Sequence, residues 1–187
     1  MNTKIDSNYH IKIQFKAFVL SICMLSSFYV IDNLYTNNPI FRNFEDYLQF
    51  FNPFYGFVLV FLMDDFRNFF SQMFRPLAVL MSIVYLIKYL VNAKRPSSAG
   101  GYSFPSGHTA LAVASSIFIH KRYHFYYAIP AYLNSLAIGF LRVYHQKHFI
   151  RDVVGAFIIA SIVVWKMVQK RTNNKISDDK ICKNLLP

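Results

Sequence analysis

A chain of 187 residues that is 55% hydrophobic and 18% aromatic carries more apolar side chain than a soluble domain of this size has interior to bury, so the first reading is a membrane protein. The formal charge of +11 is spread between apolar runs and forms no contiguous basic domain, which excludes nucleic acid as a partner. Cys23 lies in an apolar run and Cys182 in a polar tail, so they make poor disulfide partners and leave the compartment open.

In chain order, residues 1–16 form a polar segment with Lys4, Lys12 and Lys16, expected to be cytoplasmic. The apolar run from Ala17 to about Ile31 leads into Asp32-Asn33-Leu34-Tyr35 with no small-residue cleavage pattern, and reads as a retained first span. A polar and aromatic loop follows, carrying Arg42, Glu45 and Asp46. The second apolar stretch, about Phe50 to Met63, is short for a crossing of roughly 20 residues; it is either lengthened by tilt or by its flanking Phe and Tyr residues, or re-entrant. Phe66, Phe69, Phe70 and Phe74 are spaced like an interfacial segment.

A third span is expected from about Pro76 to Val91, then a turn-rich loop over residues 92–105 that is too polar for lipid. The fourth span starts near Ser106 and ends about His120, and the fifth covers about Tyr126 to Leu141, with Asn134 and Ser135 facing other helices. The sixth starts at Asp152 and covers Val153 to about Trp165. The expected architecture is therefore all-α, an integral bundle of about six transmembrane helices over residues 17–169. A basic cytoplasmic tail follows over residues 170–187.

Three polar clusters interrupt the apolar sequence: Lys88 with Arg95-Pro96, Pro105-Ser106-Gly107-His108, and Arg142 with His148 and Asp152. Brought together, Lys88, Arg95 and Arg142 would clamp a tetrahedral dianion, the arginines in bidentate fashion. Ser106 and Gly107 precede a helical run, so their backbone N–H groups would point at an anion from a helix N-terminus. His148 and Asp152 are four apart and share a face if one helix covers both. The carboxylate would then fix the imidazole's tautomer, making His148 a credible nucleophile. His108 remains as a second imidazole able to give a proton to a departing oxygen. The plain alternatives are a Lys88 that snorkels to the interface and a His148–Asp152 pair that only caps the last span. Asp152 is the only acid between Asp65 and Asp178, and a lone carboxylate among cations and histidines is more easily explained by function.

These clusters resemble the three-part signature of the type 2 phosphatidic acid phosphatase (PAP2) family. KYLVNAKRP, from Lys88 to Pro96, is similar to its first motif and PSGH at 105–108 to its second. RVYHQKHFIRD, from Arg142 to Asp152, is similar to its third, with five residues between Arg and His and three between His and Asp. Leu141 stands where the family usually has a small hydroxylated residue. The resemblance implies a membrane lipid phosphatase in which His148 takes the phosphoryl group as a phosphohistidine, Asp152 supports it and His108 protonates the leaving alcohol. No metal and no cofactor are implied. The implied partners are a lipid phosphate and the membrane lipids, with lipid A phosphate, undecaprenyl diphosphate, phosphatidylglycerol phosphate and phosphatidic acid as candidate substrates. A phosphotransferase using the same intermediate and a non-catalytic lipid-binding protein of the same fold are the alternatives. The soluble vanadium-dependent haloperoxidases share the signature, and the apolar spans argue against them.

With a cytoplasmic N-terminus and six crossings, most Lys and Arg outside the motifs fall on the cytoplasmic side, as the positive-inside rule requires. The three motifs fall together on the other face, which by resemblance would be the periplasmic side of a bacterial inner membrane.

Overall fold

Residues 107–122, GHTALAVASSIFIHKR, pack on all sides because so many of their side chains are small. In this computed structural model, which describes residues 44–63, 65–97 and 100–171, that segment is the central helix. The element order is α1 (Phe44–Leu62), a 3₁₀ turn (Phe66–Asn68), a π turn (Phe70–Phe74), α2 (Arg75–Val91), α3 (Gly107–Arg122), α4 (Phe125–Tyr144) and α5 (Ile150–Met167). The all-α expectation is met. The expected first span, the segment 1–16 and the tail beyond Arg171 lie outside the described residues.

Helix α3 is buried from Thr109 to Ile119 except at Leu111. Ala110, Ala112, Ala114, Ser115 and Ser116 let its neighbours approach closely, and the facing positions are as small: Ala128 and Ala131 on α4, Ala156 and Ala160 on α5. The outward faces are large and apolar, with Phe54, Phe57 and Phe61 on α1, Leu86 and Leu90 on α2, Leu133, Leu136 and Phe140 on α4, and Ile158 and Ile162 on α5 exposed. Such a surface suits lipid and not water. The helical stretch Phe70–Val91, with mean hydropathy 1.7, is long and apolar enough to cross a bilayer by length and composition.

Helix α1 differs from its expected extent. It starts at Phe44, well before the apolar run, and its 19 residues reach about 28 Å. The early residues are polar because of where they point: Asp46 meets α3 and α4, and Gln49 lines a cavity. Apolarity alone does not show a helix whose first turns face a polar site. Deeper in, buried Asn52 donates from Nδ2 to the carbonyls of Ala112 (3.0 Å) and Ala131 (2.9 Å), and its Oδ1 accepts from Asn134 (3.0 Å). Ser116 and Ser135 pair at 2.9 Å beside it. Asn134 and Ser135 thus face other helices as expected, and this network joins α1, α3 and α4 where no water competes.

At the far end of α3, Arg122 holds Asp65 in two bonds, Nε to Oδ2 at 2.6 Å and Nη2 to Oδ1 at 2.7 Å, and both side chains are buried. Arg122 also donates to the Gln169 carbonyl (3.2 Å), and its own carbonyl accepts from the Arg171 N–H (3.0 Å). One guanidinium therefore ties the turn after α1, the end of α3 and the segment after α5. Burial works to raise the Asp65 pKa, but the hydrogen bonds from Arg122 and Asn68 more than offset it and hold the carboxyl below the usual carboxylate range. A depressed carboxylate pKa contributes stability at neutral pH that is lost as pH falls below about 4. Breaking the pair with Arg122→Ala is expected to cost about 3–5 kcal/mol and to flatten that acid dependence. Thermal unfolding in detergent across pH checks both, and an unchanged melting temperature would contradict them.

Candidate active site

Lys88 lies in the last turn of α2, and Asn92 (φ 43°) ends that helix in the left-handed region. The turn sends residues 93–105 back over the helix end, where Lys88 Nζ donates to the carbonyls of Tyr102 (2.8 Å) and Ser103 (3.4 Å). The Ser103 N–H returns to the Ala93 carbonyl at 2.8 Å, and the Ser97 N–H reaches the Gln146 carbonyl at 3.2 Å, coupling this loop to the turn after α4. Gly155 on α5 accommodates the Phe104 ring, into which any β-carbon there would run. The loop is thus anchored on α2, α4 and α5 before it delivers Ser106.

Ser106 is the N-cap of α3, but it does not face the cavity as expected. Its backbone N–H is taken by the Asp152 carbonyl (3.0 Å), its hydroxyl pairs with Thr109 (3.0 Å), and the residue is fully buried. The physical reason is that the start of α3 packs against the first turn of α5. No side chain caps the first N–H groups of α3, and its first two residues, Gly107 and His108, are the ones that line the cavity.

In the third cluster one helix does not cover both His148 and Asp152, so the condition for a shared helix face is not met. Helix α5 begins at Ile150, so His148 lies in the preceding turn, where its N–H and that of Lys147 both bond to the Arg142 carbonyl (3.1 and 3.0 Å). Asp152 occupies the third helical position and accepts the N–H of the cap residue, Phe149, at 2.9 Å. His148 Nδ1 and Asp152 Oδ2 are 3.6 Å apart, near enough to feel each other's charge but too far for a hydrogen bond. Between them stands Ser103, whose hydroxyl lies 2.5 Å from Asp152 Oδ2 and 3.3 Å from His148 Nδ1.

Six of the eight expected site residues, Lys88, Arg95, Gly107, His108, Arg142 and His148, line one cavity of about 740 Å³. Asp152 and Ser106 stand behind its wall. Three basic side chains and two imidazoles share this space, and Arg95 Nε is buried there without a hydrogen-bond partner among the described residues. The outer wall is apolar and aromatic: Phe50 from α1, Met81, Tyr85 and Tyr89 from α2, and Leu111 from α3. Helices α1 and α2 both pack on α3 and make no extensive contact with each other, and the cavity occupies the gap between them. His148 is almost fully buried. Burial first, then the charges of Arg142, Lys88 and Arg95, push its pKa well below that of ordinary histidine, with Asp152 opposing.

Two residues of the site were not singled out from the sequence. Asp46 bonds His108 Nε2 (2.9 Å) and Arg142 Nη1 (2.7 Å), with Lys147 Nζ at 4.0 Å. A signal existed, since Asp46 lies in the loop after the expected first span, which a cytoplasmic N-terminus would put on the same membrane side as the motifs. Ser103 had none, because a serine in a turn-rich loop looks the same whether or not it touches an imidazole. Leu141 packs against Leu48, Ala112 and Ile138, so an apolar contact replaces the family's usual hydroxyl. Among the described residues no group of three or more His, Cys, Asp or Glu is placed to hold a metal ion.

The fold and the chain both have known relatives. The structure is similar to the crystal structure of Aquifex aeolicus LpxE, with a TM-score of 0.57 at 22% identity over 76% of this chain and 93% of that one, which is a likeness of fold. The sequence is 28% identical over 90 residues to the lipid A 1-phosphatase of Porphyromonas gingivalis, covering 46% of this chain and 20% of that longer protein. The sequence pattern of the PAP2 superfamily matches residues 68–176, a stretch that begins ahead of Lys88 and continues past Asp152. With the three clusters in that stretch folded around one cationic cavity, the chain belongs to the PAP2 superfamily.

Proposed function

We propose that this protein is a membrane-embedded lipid phosphate phosphatase that works through a phosphohistidine on His148, with no metal and no cofactor. The observation that carries the reading is the cavity itself: Lys88, Arg95, Arg142, His108 and His148 face one space whose outer wall is apolar. A phosphate is matched by the cationic end and a lipid's apolar part by the aromatic end.

In the proposed reaction His148 Nε2 attacks phosphorus in line, forming the N–P bond as the P–O bond to the lipid breaks. His108 gives its proton to the leaving oxygen. Water, deprotonated by His108, then attacks phosphorus, releasing inorganic phosphate and restoring both imidazoles. Lys88, Arg95, Arg142 and the N–H of Gly107 stabilise charge on the equatorial oxygens, which is where most catalysis of phosphoryl transfer lies. Asp46 orients His108 and Arg142, and Asp152 supports His148. Ser106 acts through its bond to the Asp152 carbonyl, which locks the second motif to the third.

Among the candidate substrates a phosphate of lipid A leads, because the Porphyromonas gingivalis relative bears the name lipid A 1-phosphatase. The three motifs would lie near the periplasmic face of a bacterial inner membrane in a six-span arrangement. The test is phosphate release by the full chain in detergent against lipid A, undecaprenyl diphosphate, phosphatidylglycerol phosphate and phosphatidic acid, with and without a chelator. Release from at least one, unaffected by chelation, is expected. Activity lost to the chelator and restored by a divalent ion would overturn the metal-free mechanism, and no release from any would overturn the activity.

A further inference from the structure

We propose that Ser103 is a positioning residue that relays the Asp152 carboxylate to His148 and thereby fixes which imidazole nitrogen is free to react. The proposal rests on the phosphatase reading for its kinetics but not for its chemistry. Asp152 does not reach His148 directly, since Nδ1 and Oδ2 are 3.6 Å apart. Oδ2 already accepts two hydrogen bonds, from the Phe149 N–H at 2.9 Å and from the Ser103 hydroxyl at 2.5 Å.

A serine hydroxyl has one proton and two lone pairs. The short contact to the carboxylate commits the proton to Asp152, because a carboxylate only accepts. The Ser103 oxygen therefore turns a lone pair toward His148 Nδ1, 3.3 Å away, and that nitrogen must carry the hydrogen. Nε2 is left with its lone pair, as an attacking nitrogen requires. Among the described residues no other group lies within hydrogen-bond distance of Nδ1 to select the tautomer.

The position of Ser103 is itself well determined. Its N–H bonds the Ala93 carbonyl (2.8 Å), its carbonyl lies 3.4 Å from Lys88 Nζ, and Phe104 beside it packs at Gly155. Ser103, His148 and Asp152 are all buried, so water cannot readily replace the hydroxyl. The loop between the first two motifs thus supplies a working part of the third.

The test uses the full chain in detergent with ¹⁵N-labelled histidine, comparing wild type with Ser103→Ala, Ser103→Cys and Ser103→Thr. In wild type the His148 ¹⁵N shifts should report a hydrogen on Nδ1 and none on Nε2. Ser103→Ala, and Ser103→Cys with its weak S–H donor, should shift the ring toward a mixture of tautomers. Both should lower kcat about 10- to 100-fold, the usual loss when an imidazole's orienting partner is removed, with KM changed less than about twofold. Ser103→Thr keeps the hydroxyl and should restore the tautomer and most of kcat. An unchanged tautomer in the alanine and cysteine variants would overturn the relay whatever happens to the rate, as would a wild-type rate in both or a threonine variant no better than alanine. Should the wild type release no phosphate from any lipid, the activity reading fails and the ¹⁵N shifts decide the relay alone.

Discussion

Replacing His148 with alanine is expected to lower phosphate release by about 10⁴- to 10⁶-fold, the scale on which removal of a covalent nucleophile acts when other groups cannot substitute for it. His108 is the other imidazole in the cavity, but its Nε2 is bonded to Asp46 on the α1 side while His148 rests against the loop on the other side, so the two cannot exchange places. The wild type quenched during turnover should carry phosphate that is acid-labile and base-stable, and the alanine variant should carry none. Retained activity or retained label would remove the nucleophile assignment. The pH dependence provides a second check. Because burial and three cations hold the His148 pKa down, the ring stays neutral at pH values where free histidine is half protonated. The acid limb that this group imposes on kcat/KM should therefore lie below pH 6.5. Lys88→Met removes one of those cations and should move that limb upward as well as weakening binding.

The sequence revealed the chemistry of this site more fully than its geometry. Lys88, Arg95, His108, Arg142 and His148 were legible because charged groups and imidazoles among apolar runs have few structural explanations, and their spacing repeats a known pattern. What it misjudged depends on backbone direction at helix ends. Spacing by four left open whether one helix covers both His148 and Asp152, and it does not: α5 starts two residues after His148, and the chain bends between them. Ser106 looked like an anion ligand for the same reason, and only the packing of α3 on α5 shows that its N–H is already used. Asp46 was hidden because its helix was sought by apolarity, and a turn that faces a polar cavity has none. Ser103 is the extreme case, with a role that depends wholly on a contact 45 residues away in sequence.

Arg142→Ala should have the next largest effect, a fall in kcat of about 10²- to 10³-fold, the cost of removing a fixed donor aimed at developing charge. Three features set Arg142 apart from the other cations. It is almost fully buried, so its charge is poorly screened; its Nη1 is braced by Asp46 at 2.7 Å; and its carbonyl holds the turn that presents His148. Only the last survives truncation of the side chain, so the loss should come from charge stabilisation and not from a displaced nucleophile. Arg142→Lys separates charge from shape. A lysine restores the positive charge but offers a point donor in place of a planar fork, and it cannot hold Asp46 and a phosphoryl oxygen in fixed geometry together. It should recover no more than about tenfold of the loss. Asp46→Asn leaves the guanidinium in the cavity and removes only its brace, so its effect should be smaller, about tenfold. Full rescue by lysine would mean that charge alone is needed at this position, whereas an asparagine variant as impaired as alanine would make Asp46, through its hold on both Arg142 and His108, the organising group of the site.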